Sequence, residues 1–347
     1  MTIDDEKIAL GFSKRPHVVI LGAGASIASL PNGDKNGFTV PVMDNTVEVL
    51  GLDGLLSNVD FDTKSNNLES IFSELSEKPE YCSIKNEIET VIYQYFSSLT
   101  IPYKTIIYDL LLLSLKKKDC IASFNWDDLI LQSWQRVSKI VGIKNMPTLI
   151  FLHGNVGVGY CPQDLSLGCI HNICKYCGSE YKPSKLLYPI KSKNYQDEII
   201  EGEWKKLSRF LNNASILTIF GYRCPETDIE ARKILLNAFD CFKGDNRFLD
   251  QIEIIEKPGS NKNEIKDKWI DFIKVTKENF EIYDSFFDSI LARAPRRSAE
   301  YLSKSSISGW WGEPQIFFKS TKLSFRKISN TIKPLIDAEN NDVYEVI

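Results

Sequence analysis

Four cysteines and one histidine fall within seventeen consecutive residues of the sequence, a density that points to metal binding. Cys174-Lys-Tyr-Cys177 is a C-x-x-C turn, in which two thiolates can share one metal ion. Zinc takes four sulfur or nitrogen ligands in a tetrahedron, so Cys161 and Cys169 would complete a structural zinc site. His171 lies among them and could replace Cys161 or Cys169.

Two other interpretations of this cysteine cluster stay open. The irregular spacing before the C-x-x-C turn is also compatible with reduced, metal-free cysteines. A redox C-x-x-C is disfavoured, because such a motif opens a helix in a thioredoxin-like unit and this one lies in a predicted loop. The remaining cysteines are typical of core or near-core positions, and none needs a catalytic role: Cys82, Cys120, Cys224 and Cys241.

A second set of chemically capable residues follows short apolar runs that are typical of buried strands. These residues are Asn125 and Asp127 after one run, His153 after another, and Gly221 with Tyr222 after a third. An asparagine amide can donate and accept hydrogen bonds without a change of charge, and an imidazole can exchange a proton near neutral pH.

A glycine-rich turn follows the first apolar run, His17-Val-Val-Ile-Leu21. The turn consists of Gly22, Ala23, Gly24, Ala25 and Ser26. Its backbone amides and the N-terminus of a following helix could approach a pyrophosphate. Ile27 replaces the third glycine of the fingerprint G-x-G-x-x-G, so the motif alone is equally compatible with a tight turn.

Strand-like and helix-like segments alternate along the chain and would position these residues. Apolar, β-branched runs predict six strands, at 17–21, 120–124, 148–152, 186–189, 216–220 and 251–255. Apolar spacings of three and four residues predict three helices within 65–115, and others at 129–137, 225–239, 263–273 and 279–291. This alternation predicts an α/β fold with a doubly wound, parallel, Rossmann-like sheet, whose ligands bind beyond the carboxyl ends of the strands.

Taken together and in this order, the motifs resemble those of the sirtuin superfamily. Its members carry a Gly-Ala-Gly turn, Asn-x-Asp after a core strand, His-Gly after another, a cysteine-rich zinc module and a glycine-rich strand end. The resemblance covers residues 16–258. Three segments are similar to the bacterial sirtuin-like NAD hydrolases of antiphage defence: Phe124-Asn-Trp-Asp-Asp128, Tyr188-Pro-Ile-Lys-Ser-Lys-Asn-Tyr195 and Gly221-Tyr-Arg-Cys-Pro-Glu-Thr-Asp228.

Three departures from the protein deacylases of the same superfamily argue against the binding of an acyl-lysine peptide. Phe124 stands where deacylases usually have glutamine before the asparagine. The Phe-Gly-Glu segment expected after their zinc module is missing, and Arg223 replaces a small hydroxyl residue. None of these departures affects the motifs expected to bind NAD.

The resemblance implies cleavage of the bond between nicotinamide and ribose in NAD, through a transition state with oxocarbenium character. With water as the acceptor, the products are nicotinamide and ADP-ribose. The resemblance further implies that Asn125 holds the ribose and orients the acceptor, that His153 moves the proton, and that Asp127 orients the loop or the ribose. NAD would be bound by the glycine turn together with Gly221 and Tyr222.

The expected function is therefore that of an NAD hydrolase, which the bacterial branch uses in antiviral defence by NAD depletion. Two alternatives stay open. One is an NAD-dependent protein deacylase, and the other is a catalytically silent NAD-binding subunit that recognises a partner or nucleic acid. The bacterial branch also implies a homo-oligomer or an activating partner protein.

The expected domain organisation is a main domain with two insertions and an extension. Residues 1–64 and 116–275 would form the sirtuin-like NAD-binding domain, interrupted by a helical module at 65–115. A small zinc module would occupy 157–184 within it, and a helical, basic C-terminal extension would occupy 276–347.

Composition and charge are those of an ordinary globular protein, with 43% hydrophobic residues and a net charge of −4. The balance conceals a basic tail, because residues 293–333 hold nine basic and two acidic residues interleaved with aromatics. This tail could bind nucleic acid or a partner, although a cap whose aromatics pack on the body is the favoured interpretation. No apolar run approaches the ~20 residues of a membrane span, and no secretory signal is evident, so we expect a cytoplasmic protein without a membrane partner.

Overall fold

A computed structural model describes residues 14–57, 59–63, 65–189, 195, 197–225, 228–240, 249–273, 279–308 and 314–341. Its centre is a six-stranded sheet in the order β3-β2-β1-β7-β8-β9, in which every neighbouring pair is parallel. The six strands are β1 (His17–Leu21), β2 (Cys120–Ser123), β3 (Thr148–Phe151), β7 (Ile216–Phe220), β8 (Gln251–Ile255) and β9 (Phe280–Tyr283). The predicted doubly wound, Rossmann-like α/β fold is confirmed.

A small antiparallel sheet carries the cysteine-rich segment. Its strands are β4 (Val158–Tyr160), β5 (Leu167–Cys169) and β6 (Lys182–Pro183), in the order β5-β4-β6. The predicted zinc module at 157–184 is thus built on strands that branch off after β3.

Helices cover both faces of the large sheet. They are α1 (Ala23–Ser29), α2 (Thr46–Leu50), α3 (Asp53–Leu56), α4 (Leu68–Glu77), α5 (Cys82–Ser98), α6 (Ile107–Ser114), α7 (Leu129–Val141), α8 (Glu198–Leu211), α9 (Ile229–Asp240), α10 (Lys262–Lys268), α11 (Ile270–Ile273), α12 (Ile290–Arg293), α13 (Ser298–Ser308) and α14 (Phe325–Glu339). Helices α4 to α7 and α14 contribute to the hydrophobic core on one face, and α8 and α9 to the core on the other.

The central strand β1 shows why its sequence is an unbroken apolar run. Val18 and Ile20 point into one hydrophobic core, and Val19 and Leu21 point into the other. Successive side chains of a strand face opposite sides, and here both sides are covered by helices, so the positions from Val18 to Leu21 are all apolar. The buried His17 at the start of the strand is polar, and its ring nitrogens are hydrogen-bonded to Ser298 and Thr218.

The three helices predicted within 65–115 are present as α4, α5 and α6. Helix α6 lies deepest, because all of its residues after Ile107 are buried. These helices share one hydrophobic core with the large sheet, to which β1 contributes Val19 and Leu21.

Two secondary-structure predictions are wrong. Residues 186–189 form no strand, because this segment makes no ladder and Leu187 N–H donates only to the carbonyl of His153, at 2.9 Å. Residues 279–291 are not one helix but contain β9, a 3₁₀ turn (Phe286–Asp288) and the start of α12. Strand β9 pairs with β8 at the sheet edge, so the predicted boundary at 275/276 separates the sixth strand from the sheet to which it belongs.

The basic C-terminal region is partly internal. Arg296 and Arg297 are only 1% and 2% exposed, and both guanidinium groups bind the carboxylate of Glu339 in α14. Phe318 is buried, and the ring of Phe325 lies 5.0 Å from the guanidinium carbon of Arg136 in α7. These two arginines therefore face the protein interior and not a nucleic acid. Two aromatic residues of the same tail, Trp310 and Trp311, lie outside the described residues.

Among the residues that the structure describes, no helix combines the length and apolar character needed to cross a membrane.

Candidate functional site

The predicted site residues follow neighbouring strands of the large sheet. Strands β3, β2, β1 and β7 lie side by side, and each predicted group begins at the carboxyl end of one of them. The chain adds β2 and β3 on one side of β1 and then returns to place β7 on the other side. The topological switch point therefore lies at the carboxyl ends of β1 and β7. Ligands of doubly wound sheets bind in the crevice at such a point.

The turns that follow β1 and β7 touch backbone to backbone. The N–H groups of Gly22 and Gly24 donate to the carbonyl oxygens of Phe220 and Gly221, at 3.0 and 3.1 Å. A Cβ on Gly22 would lie 2.5 Å from Gly221 O, so no larger residue fits there. The sequence predicts that such amides approach a pyrophosphate, but the amides of Gly22 and Gly24 are already engaged in holding the two turns together.

The other predicted cofactor-binding residues differ in exposure. Ala23 and Gly24 are half-exposed beyond the strand ends, whereas Ala25 and Ser26 are buried. Tyr222 is buried as well, at 6% exposure. Ala23 and Gly24 are thus the part of the glycine turn that is open to a ligand.

Asn125, after β2, is hydrogen-bonded into the glycine turn. Its Nδ2 donates to Gly22 O at 3.0 Å and to Ser26 Oγ at 2.9 Å, and lies 3.3 Å from the hydroxyl oxygen of Tyr108. The residue is 7% exposed. These bonds fix the side-chain amide beside the switch point.

Asp127 links the glycine turn to the start of α7. Its Oδ2 accepts a hydrogen bond from Ser26 Oγ at 2.8 Å, and its Oδ1 accepts one from the N–H of Leu129 at 3.3 Å. Its backbone oxygen accepts a hydrogen bond from Asn155 Nδ2 at 2.5 Å. Burial raises the pKa of Asp127 to about 7. These contacts hold the Asp127 carboxyl between the glycine turn and the start of α7.

His153, after β3, lies among aromatic rings. Its imidazole packs edge-on against Phe124, with 4.8 Å between ring centroids, and its Nε2 is 3.3 Å from the hydroxyl of Tyr195. Phe124 in turn stacks on Tyr222, at 4.0 Å and an interplanar angle of 5°. Gly154 has a φ of +76°, and a Cβ there would lie 2.0 Å from Lys185 O, so the turn after His153 requires glycine.

An aromatic wall therefore connects the ends of β2, β3 and β7. Phe124 belongs to the loop after β2, His153 to the turn after β3, and Tyr222 to the turn after β7. Phe124 thus contacts both His153 and Tyr222, which follow two other strands.

Sequence reasoning missed three members of this site. Tyr108 lies in α6, and its hydroxyl is 2.7 Å from Ser26 Oγ. Tyr195 contacts His153, and Asn155 supports the backbone of Asp127. Tyr195 closes a segment that carried the family resemblance, so that resemblance was the available signal, whereas Tyr108 lies within an apolar helical run that gives none.

A cavity of about 180 Å³ opens beyond the ends of β7 and β8. Its lining includes Arg223, Glu256, Lys257 and Trp269. Arg223 Nε lies 3.5 Å from Glu256 Oε2, so the residue that departs from the deacylase pattern forms part of this cavity wall.

Three of the four predicted metal ligands converge with a carboxylate. Cys161, Asp164, Cys174 and Cys177 each offer one ligand atom, and these four atoms lie within 4.8 Å of one another. The Sγ atoms of Cys161 and Cys177 are 3.4 Å apart, and Asp164 Oδ2 is 3.2 Å from Cys174 Sγ. Zinc bond lengths of about 2.0–2.3 Å place tetrahedral ligand atoms roughly 3.5–3.8 Å apart, so this donor set fits zinc.

The other two predicted ligands lie outside this group. Cys169 Sγ is 3.4 Å from Gln135 Nε2, and His171 is exposed. In the described structure Asp164 occupies the place that the sequence assigned to Cys169 or His171. A carboxylate is an established zinc ligand, but a single aspartate among many surface acids carries no sequence signal of its own.

Substitutions in this cluster are expected to separate the two ligand sets. We expect Cys174→Ser and Asp164→Ala to lose the bound zinc, measured as metal per chain after dialysis, because each removes one of four converging donors. Cys169→Ser should retain it. Chelation of the wild-type protein should unfold the small sheet, seen as faster amide exchange over β4 to β6, because metal binding and folding of such modules are coupled.

Cys82→Ser is the matched control, since Cys82 is exposed in α5 and outside the cluster. A full complement of zinc in Cys174→Ser would contradict the assignment. Zinc lost from Cys169→Ser but kept by Asp164→Ala would favour the four-cysteine set.

Comparisons with known proteins give a likeness in structure alone. No family model and no curated protein matches the sequence. One solved structure that overlaps the fold is a Sir2 homologue in complex with NAD. Its TM-score is 0.39 at 14% identity, and the match covers 86% of this chain and 94% of that one. A Sir2 protein bound to acetylated peptide has a TM-score of 0.37 and 15% identity, covering 89% and 99%. A sirtuin solved in a study of substrate affinity has a TM-score of 0.38 and 16% identity, covering 82% and 94%.

Proposed function

We propose that the protein is a sirtuin-like enzyme that hydrolyses NAD to nicotinamide and ADP-ribose. The observation that carries the proposal is the attachment of Asn125 to the glycine turn at the switch point between β1 and β7. Dinucleotides bind at this place in doubly wound sheets. An amide held there is well placed to meet the reacting ribose.

The phosphates and the adenosine have room on the β7 side of the switch point. The half-exposed Ala23 and Gly24 allow close approach to the turn after β1. The cavity beyond β7 and β8 would take the adenosine half, with Glu256 able to accept hydrogen bonds from ribose hydroxyls and Trp269 forming an apolar wall. The nicotinamide ribose would then lie toward Asn125 and His153.

The reaction needs one proton to be removed. Water attacks C1′ of the nicotinamide ribose, the bond from C1′ to nitrogen breaks, and its electron pair leaves with nicotinamide. Nicotinamide departs as a neutral molecule, so no general acid is required. The proton of the water is accepted by a base, and His153 is the residue of this site that can take it near neutral pH.

Phe124 favours water over an acyl-lysine as the acceptor. Its ring fills the space between His153 and Tyr222, where it is stacked and buried. A deacylase has a polar glutamine at this position, according to the resemblance. The apolar ring also keeps bulk water away from the transition state, which strengthens the electrostatic interactions of Asn125.

The test is an assay of the purified full chain with NAD, in which nicotinamide and ADP-ribose are separated and quantified. Nicotinamide and ADP-ribose released in equal amounts from NAD alone would support the hydrolase. Release that depends on an acetyl-lysine peptide, with the acetyl group recovered on ADP-ribose, would identify a deacylase instead. NAD binding without turnover, with or without extract of infected cells, would identify a silent NAD-binding subunit.

We further propose that the activity serves antiviral defence by NAD depletion in the cytoplasm, under the control of self-assembly or a partner protein. The support for this role is the motif resemblance to the antiphage branch. A hydrolase of NAD is toxic to its own cell, so an activation step is expected. The assay with extract of infected cells addresses this step.

A further inference from the structure

The orientation of the Asn125 amide follows from its partners. Gly22 O can only accept a hydrogen bond, so the atom 3.0 Å away from it must be the amide nitrogen. That places Oδ1 at the other end of the amide, and no described residue donates a hydrogen bond to Oδ1. The atom that Asn125 presents at the switch point is therefore an acceptor.

The direction of the bonds around Ser26 follows by counting protons. The Ser26 hydroxyl has one proton, and Asp127 Oδ2 at 2.8 Å accepts it when that carboxyl is ionised. Ser26 Oγ must then accept from its two other neighbours, Asn125 Nδ2 at 2.9 Å and the Tyr108 hydroxyl at 2.7 Å. With Asp127 ionised, the bonds thus run from Tyr108 through Ser26 to Asp127.

Tyr108 is held in place as the donor to Ser26. Its side chain is fully buried, and burial, followed by the charge of Asp127, raises its pKa well above the ordinary value, so the phenol keeps its proton. The next residue, Asp109, accepts a hydrogen bond from the N–H of Ile106 at 2.9 Å and one from Arg136 Nε of α7 at 3.1 Å. These bonds anchor the first turn of α6 and with it the position of the Tyr108 ring.

We propose that Tyr108 is a positioning residue. Its hydroxyl holds Ser26 as an acceptor for the Asn125 amide, so that Asn125 Oδ1 faces the substrate and accepts a hydrogen bond from it. The inference rests on the proposed function for the identity of the substrate. The donor is a ribose hydroxyl or the attacking water, since both carry O–H groups. Tyr108 does not itself reach the reacting atoms.

Tyr108→Phe tests this role, because it removes one hydroxyl and keeps the buried ring. We expect kcat for nicotinamide release to fall between five-fold and a hundred-fold, with KM for NAD within two-fold, because a misoriented amide affects the reaction more than binding. In protein labelled with ¹⁵N-asparagine, the Asn125 side-chain amide signals should shift and exchange faster with water. Asn125→Ala identifies these signals by their loss.

Tyr95→Phe is the matched control, because its hydroxyl donates at 2.7 Å to Thr39 O, away from Asn125. It should leave kcat and the Asn125 signals unchanged. A Tyr108→Phe enzyme with kcat within two-fold of the wild type, or with unmoved Asn125 signals, would overturn the proposal. If the wild type releases no nicotinamide even with extract of infected cells, the proposed function fails, and the amide signals alone then decide the role of Tyr108.

Discussion

Replacing His153 with alanine is expected to lower the rate of nicotinamide release from NAD by about a hundred-fold or more. A positioned general base contributes roughly 10²- to 10⁴-fold to a reaction of this kind. His153 is 7% exposed, and its ring is held between Phe124 and Tyr195. Asn125→Ala should lower the rate at least as much, because it removes the acceptor at the switch point.

The measurement is the initial rate of nicotinamide release at saturating NAD, together with NAD affinity and thermal stability of each variant. His171→Ala is the control, because His171 is exposed and lies outside the metal cluster. It should keep the wild-type rate. If both His153→Ala and Asn125→Ala hydrolyse NAD at a rate close to the wild type, the site has been assigned wrongly.

Replacing Glu339 with alanine is expected to destabilise the fold by about 3–5 kcal/mol, the usual effect of removing one partner from a buried ionic group. The Glu339 carboxylate accepts hydrogen bonds from Arg296 Nε at 2.8 Å and from an Arg297 terminal nitrogen at 2.6 Å. Burial tends to raise the pKa of Glu339, but the bonds and charges of the two arginines outweigh it and hold the pKa below the ordinary value. Without that carboxylate, two buried cations would lose the anion that they share.

Urea denaturation, followed by intrinsic fluorescence, measures this effect as a change in the free energy of unfolding. Asp337→Ala serves as the control, because Asp337 is exposed on the same helix and should change stability by less than about 0.5 kcal/mol. A loss below about 1 kcal/mol in Glu339→Ala would mean that the cluster is solvated in solution. Arg296 also donates a hydrogen bond to Leu115 O, directly after α6, at 2.7 Å. We therefore expect Glu339→Ala to destabilise α6, the helix that carries Tyr108, as well.

The strands of the sheet interior could be predicted from the sequence, because burial on both faces demands an apolar run. β1, β2, β7 and β8 lie inside the sheet and are mainly apolar. β3 and β9 are the two edge strands. β3 still carries the apolar run Leu149–Phe151, whereas Glu281 interrupts the run in β9, whose residues are partly exposed. The segment 186–189 shows the opposite error, since it is apolar and is predicted to be a strand. Leu186 and Leu187 are buried there without any strand partner.

The residues of the candidate site differ in the same way: some carry a signal in their local sequence, and others do not. Asn125, Asp127 and His153 could be predicted because each follows a recognisable strand. Tyr108 and Asp164 could not, because one looks like a core residue of an apolar helix and the other like any exposed acid. Their roles arise only when the fold brings them to Ser26 and to the three cysteine thiols.

The packing of α14 and its preceding loop on α6 sets an order of events during synthesis. Thr105, which precedes α6, donates its hydroxyl proton to Leu323 O at 2.9 Å, a partner 218 residues further along the chain. At roughly 5–20 residues per second, the ribosome needs about 10–45 s to make that intervening stretch. Until then the helix that carries Tyr108 lacks this part of its cover, although all six strands of the large sheet have already been translated.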